Sequence, residues 1–429
     1  MPRAVRSSWG RSSSGSRRAA AASALLVSAV LLAACSSQPM PTPTPAPTAS
    51  ATPTGDGVLT IGTLFPSTGA TAFIGVPQLD GVKAAVADIN AAGGVNGKPV
   101  VLVSDDSGDA TTQTAEASLA DLAKKGADVI IGPSSSVLAQ RLLTVAAAAR
   151  IPMISPAATY PQLSTLDAEG IFFRTIPSTS LQGVALGTLL PSKKQLKIAL
   201  LASSDDIGQS IVTTLGDTLS ANGGALVANV ALTASSDPAS VIAGLKALAP
   251  DAVVLDTPDN GTQTKAFISA LVAAGYGGAK LWLTSQNFAD YSQALPAGQL
   301  AGVSGLLEGA AASADFQSKV KAIDPAATSF QYGPEAYDAT ILAALAATLA
   351  HDDAGMKVAS KLQAASVGGI KCTSYAECLD VLTTEPSIDY DGISGDVNLD
   401  AAGDPTTGSY GIYTYTADNR YARSGSVSG

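Results

Sequence analysis

Two turns of the sequence combine hydroxyl groups with small residues, a combination that suits the binding of a carboxylate. Residues 132–136 read Gly-Pro-Ser-Ser-Ser after one apolar run, and residues 155–159 read Ser-Pro-Ala-Ala-Thr after the next. At a strand-to-helix turn, the free N–H groups and the positive dipole end of the helix favour an anion, and a serine can cap the helix. For one turn alone, helix capping is a sufficient explanation. The two turns together predict a binding site formed by Ser135, Ser136, Ala157, Ala158 and Thr159.

Two later positions could complete this site from a second group of strands. Asp206 and Asp256 each follow an apolar run, and ligands of open α/β sheets bind outside the carboxyl ends of the strands. An acid at a strand end serves equally well as a helix cap or in a solvated turn. Phe73, in the turn after the first predicted strand, has two roles open to it, packing on a ligand or filling the core.

Catalytic and metal-binding groups are scarce. His351 is the only histidine, so a nucleophilic serine lacks its usual base and a zinc site lacks its usual ligands. A hydrolase that uses carboxylates alone, such as an exported glycosidase with Asp205 and Asp206 or Asp256 as its pair, is the remaining enzymatic alternative. Adjacent carboxylates in a turn are usually just solvated. We therefore predict that the protein is not an enzyme and uses no cofactor and no metal.

The N-terminal segment predicts export and attachment to a membrane. Five arginines and no acid accompany an alanine- and leucine-rich run that ends at Leu32-Ala33-Ala34-Cys35, which resembles the lipobox of a bacterial lipoprotein. The pattern predicts a signal peptide at residues 1–34 and a lipid on Cys35, and the alternative is a plain signal peptide with an idle cysteine. Residues 35–57 are rich in Pro and Thr and predict an extended spacer.

The charge balance argues against a nucleic-acid partner. The sequence has 25 basic and 35 acidic residues, and loss of residues 1–34 removes five arginines, which leaves 20 against 35 and a net charge of −15. No Lys/Arg cluster able to follow a phosphate backbone occurs in the exported sequence.

The remaining cysteines, Cys372 and Cys378, enclose only the residues TSYAE. Outside the cytoplasm such a close pair predicts a local disulfide, because no histidine or further cysteine accompanies it as a metal site would require. A loop this short gains only about 2 kcal/mol from the crosslink, so the disulfide fixes a loop and does not hold the fold together.

Apolar runs alternate with helical patterns from Val58 onward, which predicts parallel βαβ units and an α/β fold. The alternation begins again at residue 196, and the exported core is therefore expected to contain two similar halves. Residues 58–429 are also too many for one typical core. The tail after Gly305 has strong helices without a third full series, which suggests that the chain returns to complete both halves.

Several segments, in order and at similar spacing, resemble the leucine/isoleucine/valine-binding family of ABC-transporter solute receptors. They include "LTIGTLFPSTGATAFIG", "DGVKAAVADINAAGGVNGKPVVLVSDD", "ADVIIGPSSS", "IPMISPAAT" and "FFRTIPS", with weaker matches through "PDAVVLD", "EAYDATILAALAA" and "ISGDVNLDAAGD". The family has the type I periplasmic-binding-protein fold, with two Rossmann-like lobes, a three-strand hinge and a ligand cleft between the lobes. The resemblance implies lobe 1 at residues 58–177 and 305–394, and lobe 2 at residues 178–304 and 395–429.

The resemblance also implies roles for single residues. Ser136 matches the serine that binds the α-carboxylate of an amino acid, and Ala157 and Thr159 match the residues that complete the carboxylate and ammonium sites. The second lobe departs from the pattern, because Ile207 stands where an aromatic residue is usual and Gln286, followed by an asparagine, where an acid is usual. The acid is then expected to be replaced by one of two candidates, Asp206 or Asp256.

The function that the resemblance implies is that of an extracytoplasmic solute receptor. It would close around a small polar solute, an amino acid or a related carboxylate or amide, and deliver it to an ABC permease. It would work as a monomer, lipid-anchored at the outer face of the cytoplasmic membrane. A ligand sensor of the same fold, signalling to another envelope protein, is the alternative that the sequence leaves open.

Overall fold

The structure is a computed structural model that describes residues 54–167, 169–258 and 261–429. Its N-terminal part forms a five-stranded parallel sheet with helices between the strands. In chain order the elements are β1 (Thr60–Phe65), α1 (Gly75–Ala91), β2 (Val101–Asp106), α2 (Thr114–Lys124), β3 (Val129–Ile131), α3 (Ser136–Ala149), β4 (Met153–Ser155), α4 (Leu163–Leu166) and β5 (Phe172–Arg174). The strand order is β2-β1-β3-β4-β5, so the ends of β3 and β4, which precede the two small-residue turns, are neighbours.

A second series of strands and helices follows and repeats this pattern. Its elements are α5 (Ser180–Ser192), β6 (Lys197–Ser203), α6 (Asp206–Ala221), β7 (Ala225–Leu232), α7 (Pro238–Leu245), β8 (Ala252–Asp256), α8 (Thr262–Leu271), β9 (Leu281–Leu283) and β10 (Ser304–Glu308). These strands pair in parallel with one another. Their carboxyl ends therefore share one edge of the sheet.

The C-terminal part of the chain adds to both sheets and forms a small third one. Its elements are α9 (Ala314–Ile323), α10 (Gly333–Ala350), α11 (Gly355–Ser366), β11 (Ile370–Cys372), α12 (Tyr375–Leu382), β12 (Ile388–Gly392), β13 (Gly395–Asp396), β14 (Ser409–Tyr415) and β15 (Tyr421–Ser428). Strands β14 and β15 extend the second sheet to seven strands in the order β15-β14-β10-β9-β8-β6-β7, and β11-β12-β13 form the third sheet.

Helices cover both faces of each large sheet, which explains the near-continuous apolar runs of the strands. In β1, Ile61 faces the helices α1 and α10, whereas Leu64 faces α2 and α3. In β6, Leu200 and Leu201 likewise point into opposite cores. Helix α10 is buried from Gly333 to Ala347, and an apolar helix with no polar face belongs inside a core. The result is two α/β lobes, as the sequence predicts.

Three crossover segments connect the lobes, and the first two lie against the third or its C-terminal end. They are residues 175–179 after β5, residues 309–313 after β10, and residues 397–408 before β14. The N–H of Gly309 donates to the carbonyl of Ser409 at 2.9 Å, next to the third segment. A Cβ on Gly408 would meet the Pro177 ring at 2.3 Å, so the first and third segments are in close contact there.

The structure corrects several details of the sequence analysis. The boundary at residue 305 is too early, because residues 305–308 belong to β10, which pairs with β9 and β14 of the second sheet. Within the segment ISGDVNLDAAGD, only Gly395–Asp396 forms a strand, β13. Strands β11, β12 and β15 and helix α12 were not predicted, since they are short or exposed and their apolar periodicity is weak.

Cys372 and Cys378 are joined by a disulfide with Cα atoms 5.2 Å apart, which ties β11 to α12. Across residues 54–167, 169–258 and 261–429, no helix is both long and apolar enough to cross a membrane. The predicted signal peptide, Cys35 and nearly all of the spacer lie outside the described residues.

Candidate functional site

A single serine hydroxyl joins the two small-residue turns. Ser136 is the first residue of α3 and is 9% exposed. Its Oγ accepts the backbone N–H of Thr159 at 3.0 Å and that of Tyr160 at 3.2 Å. A hydroxyl has two acceptor positions and one proton to donate. Because both acceptor positions are used, the proton of Ser136 is left for an acceptor outside the protein.

Ser155 fixes the second turn in the same way. Its buried hydroxyl accepts the N–H groups of Ala157 at 3.3 Å and Ala158 at 2.9 Å, and it donates to the carbonyl of Pro133 at 2.6 Å. The bond to Pro133 reaches into the first turn. The two turns are thus held together from both sides and form one rigid surface.

The carbonyl groups of the second turn are mostly engaged as well. Arg174 donates from Nη1 to the carbonyls of Ala158 at 3.1 Å and Tyr160 at 3.0 Å. The carbonyl of Thr159 accepts the N–H of Thr179 at 2.9 Å and its hydroxyl at 3.2 Å. These bonds occupy three successive carbonyls of the second turn, those of residues 158–160.

Two further groups of the second turn are left without a partner. Within the part of the chain that the structure describes, no donor reaches the carbonyl of Ala157, and the hydroxyl of Thr159 makes no hydrogen bond. Both residues are half-buried. Together with the Ser136 proton, the surface offers two hydroxyl donors and one carbonyl acceptor, which is the set that a carboxylate next to an ammonium group requires.

Two residues expected in the site have structural roles. The hydroxyl of Ser135 accepts the N–H of Leu138 at 3.4 Å and caps α3. Ala158 is fully buried, and both its backbone groups are used by Ser155 and Arg174. The fold accounts for Ser135 and Ala158 in this way, and their contact with a solute stays a prediction.

Phe73 lies at the exposed start of the helical segment that leads into α1. It is 69% exposed, so the alternative of a core role is wrong. An aromatic ring that is open to solvent at the carboxyl edge of the first sheet remains free to pack against a ligand.

A buried ion pair supports the second turn from behind, and sequence reasoning missed it. Arg174 is 0% exposed and donates to Asp404 through Nε at 2.7 Å and Nη2 at 2.9 Å. Ser164 completes the cluster by hydrogen bonds to both side chains. Asp404 belongs to the third crossover segment. The one available signal in the sequence was a lone arginine in the apolar run "IFFRT".

The first turn has a support of its own on α1. Ser134 donates its hydroxyl proton to Oε1 of Gln78 at 2.8 Å, and Nε2 of Gln78 donates to the carbonyl of Ile74 at 2.7 Å. Gln78 is completely buried. The amide therefore fixes the segment before α3 relative to the start of α1.

Asp256 is not accessible from the cleft, contrary to the expectation that it faces an ammonium group. The side chain is 0% exposed, accepts the hydroxyl of Thr284 at 2.6 Å and lies 3.4 Å from the backbone nitrogen of Ser203. Burial raises the pKa of Asp256 to about 6, although the bonds from Thr284 and Ser203 oppose the shift. This carboxyl group holds the ends of three neighbouring strands together.

Asp206 differs from Asp256 because it is exposed and faces the other lobe. Its Oδ2 accepts from Nε2 of Gln162 at 3.3 Å, and Gln162 follows the turn that Ser136 holds. The neighbouring Asp205 caps α6 by accepting the N–H of Gly208 at 3.0 Å. Ile207, at the position where an aromatic residue was noted as usual, is 6% exposed and belongs to the core.

The turn after β9 separates the two amides that the sequence analysis noted together. Asn287 is fully buried and exchanges two hydrogen bonds with the backbone of Thr257, at 2.6 and 3.0 Å. Gln286 is half-buried, and no described residue forms a hydrogen bond with its side chain. Asn287 therefore joins β8 to β9, whereas the amide of Gln286 remains available at the edge of the sheet.

Groups that could hold a metal are not found in this part of the protein. Among residues 54–167, 169–258 and 261–429, no cluster of three or more His, Cys, Asp or Glu side chains has suitable geometry. His351 ends α10 as an exposed residue in the left-handed conformation.

Comparison with protein families identifies the chain. The family model described as periplasmic binding protein matches residues 58–376. The chain belongs to this family. The predicted family and the two-lobed fold are thereby confirmed, and the protein is an extracytoplasmic solute-binding receptor. Periplasmic binding proteins bind solutes and are not enzymes.

Two proteins with sequences similar to this periplasmic binding protein carry different functional descriptions. The chemotactic signal transduction system substrate-binding protein BasB of Halobacterium salinarum is 27% identical over 364 residues, which cover 82% of this chain and 85% of BasB. The Leu/Ile/Val-binding protein BraC3 of Rhizobium johnstonii is 30% identical over 177 residues, which cover 41% of this chain and 47% of BraC3.

Solved structures share the fold of this periplasmic binding protein. An ABC transporter substrate-binding protein from Desulfitobacterium hafniense, in complex with Leu, matches with a TM-score of 0.62 at 19% identity, covering 85% of this chain and 99% of that one. A solute-binding protein from R. palustris, in complex with benzoate, matches with a TM-score of 0.54 at 20% identity, covering 86% and 96%. These likenesses show the type I fold.

Proposed function

We propose that the protein binds an amino acid, or a close amide or carboxylate relative, between its lobes and delivers it to an ABC permease. The observation that carries this proposal is the set of unused groups at the two turns. The hydroxyls of Ser136 and Thr159 suit a carboxylate, and the carbonyl of Ala157 suits an ammonium group. The first turn of α3 adds a favourable dipole for the carboxylate.

The second lobe supplies the partner for the ammonium group. Asp206 is an exposed acid close to the second turn, since its carboxylate already reaches Gln162 of the first lobe. Gln286 adds an amide at the same edge. Closing the lobes brings these groups towards Ser136, and the solute drives closure only through contacts that the closed form alone provides.

The names of related proteins support an amino acid over other solutes. BraC3 is a Leu/Ile/Val-binding protein, and the structure from Desulfitobacterium hafniense contains Leu. The benzoate complex from R. palustris shows that the same fold also accommodates a carboxylate without an ammonium group. An amino acid would donate hydrogen bonds from its ammonium group to an acceptor such as the Ala157 carbonyl, whereas a carboxylate without an ammonium group would not.

Titration calorimetry of the intact protein with matched probes tests this proposal. The three probes share one branched chain. L-leucine carries both charged groups, 4-methylpentanoate carries only the carboxylate, and 3-methylbutylamine carries only the ammonium group. We expect L-leucine, or another amino acid in a parallel series, to bind more tightly than either analogue. Equal binding of the amino acid and its deaminated analogue would contradict the role assigned to Ala157 and Asp206.

A sensory role is the second candidate, and the relationship to BasB favours it. BasB belongs to a chemotactic signal transduction system and matches this chain over most of both lengths. Transport and sensing require the same closing cleft. Deleting the gene and measuring uptake of the radiolabelled solute separates them, because a dedicated receptor for a permease is needed for uptake and a sensor is not.

The location that we propose follows from the N-terminal sequence. A lipid on Cys35 would hold the protein at the outer face of the cytoplasmic membrane as a monomer, with residues 35–57 as a spacer. This arrangement keeps the receptor within reach of a permease while its lobes move freely.

A further inference from the structure

A second concave site lies beside the crossover segment that follows β10. Its volume is about 380 Å³, within the usual range for small-molecule sites. Its walls come from residues 307–312, from α9 and residues 330–332 before α10, and from β14 and β15. We call it the hinge pocket. None of its lining residues belongs to the turns at 132–136 and 155–160, so its groups are separate from those proposed to bind the amino acid.

Four aromatic side chains line the hinge pocket: Phe330, Tyr332, Tyr413 and Tyr421. The rings of Tyr413 and Tyr421 are 5.7 Å apart at an interplanar angle of 89°, an edge-to-face arrangement that fixes both. Tyr421 is 38% exposed, and the other three are half-buried. Phe288 packs against Tyr413 and Tyr421 with ring centres 5.7 and 4.5 Å apart. Only the part of each ring that lines the pocket is therefore left to contact a planar aromatic ligand.

Arg423 places a guanidinium group at this aromatic surface. Its central carbon lies 5.9 Å from the ring centre of Tyr413, and its Nε donates to the carbonyl of Gly425 at 3.3 Å. Over the described ranges, neither Nη atom of Arg423 has a hydrogen-bond partner, and no carboxylate lies within ion-pair distance of it. A half-buried guanidinium with free N–H groups suits a carboxylate, which it binds with two parallel hydrogen bonds.

The acidic side chain in the wall of the pocket limits the charge of the ligand. Glu308 is 6% exposed, and its Oε1 accepts from Nε2 of Gln182 at 3.1 Å and from the hydroxyl of Ser285 at 2.8 Å. Both bonds come from residues of the second lobe, and Glu308 forms no ion pair with Arg423. Above its pKa of about 7, which burial raises, an ionised Glu308 would repel a second negative charge on the ligand, so a singly charged anion fits better than a phosphate.

We propose that the hinge pocket is a second binding site, which takes a small aromatic monocarboxylate. The carboxylate is held by Arg423, and the ring lies against Tyr413 and Tyr421. Residues of both lobes and of a crossover segment form the walls, so the shape of the pocket depends on how far the lobes are closed. This proposal is independent of the amino-acid site, because the two sites share no residue.

Titration calorimetry of the intact protein with benzoate tests the proposal. We expect saturable binding of benzoate, and weaker binding of cyclohexanecarboxylate, which has the charge without the aromatic ring, and of benzamide, which has the ring without the charge. Arg423→Gln should weaken benzoate binding by at least about tenfold, the usual effect of losing a hydrogen-bonded charge partner. Absence of benzoate binding up to about 10 mM, a very weak affinity limit, would overturn the proposal.

Two further variants show which site the benzoate occupies. Arg420→Gln removes the same charge from the same hairpin, but Arg420 is 65% exposed and pairs with Asp290 and Asp418, outside the pocket. We expect Arg420→Gln to leave benzoate affinity unchanged. If Ser136→Ala weakens benzoate binding and Arg423→Gln does not, benzoate binds in the cleft and the hinge pocket is not its site. Circular dichroism of each variant confirms that the fold is intact.

Discussion

The Oγ of Ser136 lies 3.0 Å from the backbone nitrogen of Thr159, so one hydroxyl at the start of α3 holds the turn that follows β4. This bond uses Ser136 as an acceptor and leaves its proton to donate. The same side chain thus contributes to the shape of the site and to its chemistry. Removing it affects both the order of the second turn and the contact with the solute.

Ser136→Ala and Thr159→Val each remove one proposed donor to the solute carboxylate. We expect each change to weaken amino-acid binding by about 1 to 3 kcal/mol, the usual value of a hydrogen bond to a charged group. Calorimetric titration of the amino acid identified in the probe series measures the loss. Wild-type affinity in both variants would contradict the assignment of this site.

Ser135→Ala is the matched control for Ser136→Ala. It removes the neighbouring hydroxyl, which caps α3 by accepting the N–H of Leu138. We expect a loss of about 0.5 to 2 kcal/mol in the free energy of unfolding and no change in amino-acid affinity. A loss of affinity here would mean that the two serines exchange roles when a solute binds.

Asp206→Asn tests the partner of the ammonium group. The change removes one charge from an exposed side chain that faces the first lobe, and we expect weaker binding of the amino acid but not of its deaminated analogue. Asp205→Asn is the control, because asparagine caps a helix as well as aspartate does while removing a neighbouring charge. Equal effects of the two variants would indicate a general electrostatic influence instead of a direct contact.

The Arg174–Asp404 pair is expected to be important for stability. Asp404→Ala leaves a fully buried guanidinium without its carboxylate, and such a loss costs about 3 to 5 kcal/mol in the free energy of unfolding. Lys371→Gln breaks an exposed pair with Asp391 and should leave the stability almost unchanged. Urea denaturation measures both. A small effect of Asp404→Ala would show that water or Ser164 can replace the carboxylate.

Stability should fall as the pH rises from 5 to 8. Burial is the main cause of raised pKa values, to about 6 in Asp256 and Asp338 and to about 7 in Asp128, Glu308 and Glu335. In the unfolded chain these groups titrate near 4, so their contribution is fully present below about pH 4 and is lost as the pH rises through 6 and 7. Urea denaturation at pH 5 and pH 8 should give the larger unfolding free energy at pH 5.

Glu308→Gln identifies one source of this pH dependence. Glutamine keeps the acceptor for Gln182 and Ser285 but cannot ionise, and the difference in stability between pH 5 and pH 8 should become smaller. Glu377→Gln changes an exposed group whose pKa is lowered by hydrogen bonds from Thr373, and it should leave that difference as it is. Identical pH profiles for Glu308→Gln and the wild type would show that Glu308 does not titrate in this range.

Cys35→Ser should move the protein from the membrane fraction to the soluble fraction. The proposed lipid is attached to the cysteine sulfur, and a serine cannot carry it. Fractionation of cells followed by immunoblotting measures the distribution. Continued attachment to the membrane in the variant would contradict the lipoprotein interpretation and favour a different anchor.

The sequence was informative where burial produces a periodic pattern. Strands β1 and β6 lie in the apolar runs that begin at Val58 and at residue 196, because continuous apolar runs follow from burial on both faces of a sheet. The hairpin strand β15 is exposed along most of its length, so its sequence has no such pattern.

The site residues were harder to predict because strand ends look alike in a sequence. Asp206 and Asp256 both follow apolar runs, yet one is exposed and the other is 0% exposed. Asp256 is buried because it packs against Thr284, which is distant in the sequence, so a local sequence pattern cannot predict its exposure. Likewise, the sequence does not show that Ser135 takes the extended conformation before α3 and that Ser136 is its first helical residue. Arg174, which supports the second turn, pairs with Asp404, 230 residues away along the chain.

The crossover segments can change how tightly the receptor binds, whereas the residues of the site determine which solute it binds. Gly309 is bonded to Ser409, and Gly408 lies against Pro177, so the angle between the lobes is a property of all three segments together. The apparent affinity of a receptor is its intrinsic affinity reduced by the fraction of time it spends in the competent form. Substitutions in these segments can therefore adapt the receptor, over evolution, to scarcer or more abundant supplies of the same nutrient without altering any residue that touches it.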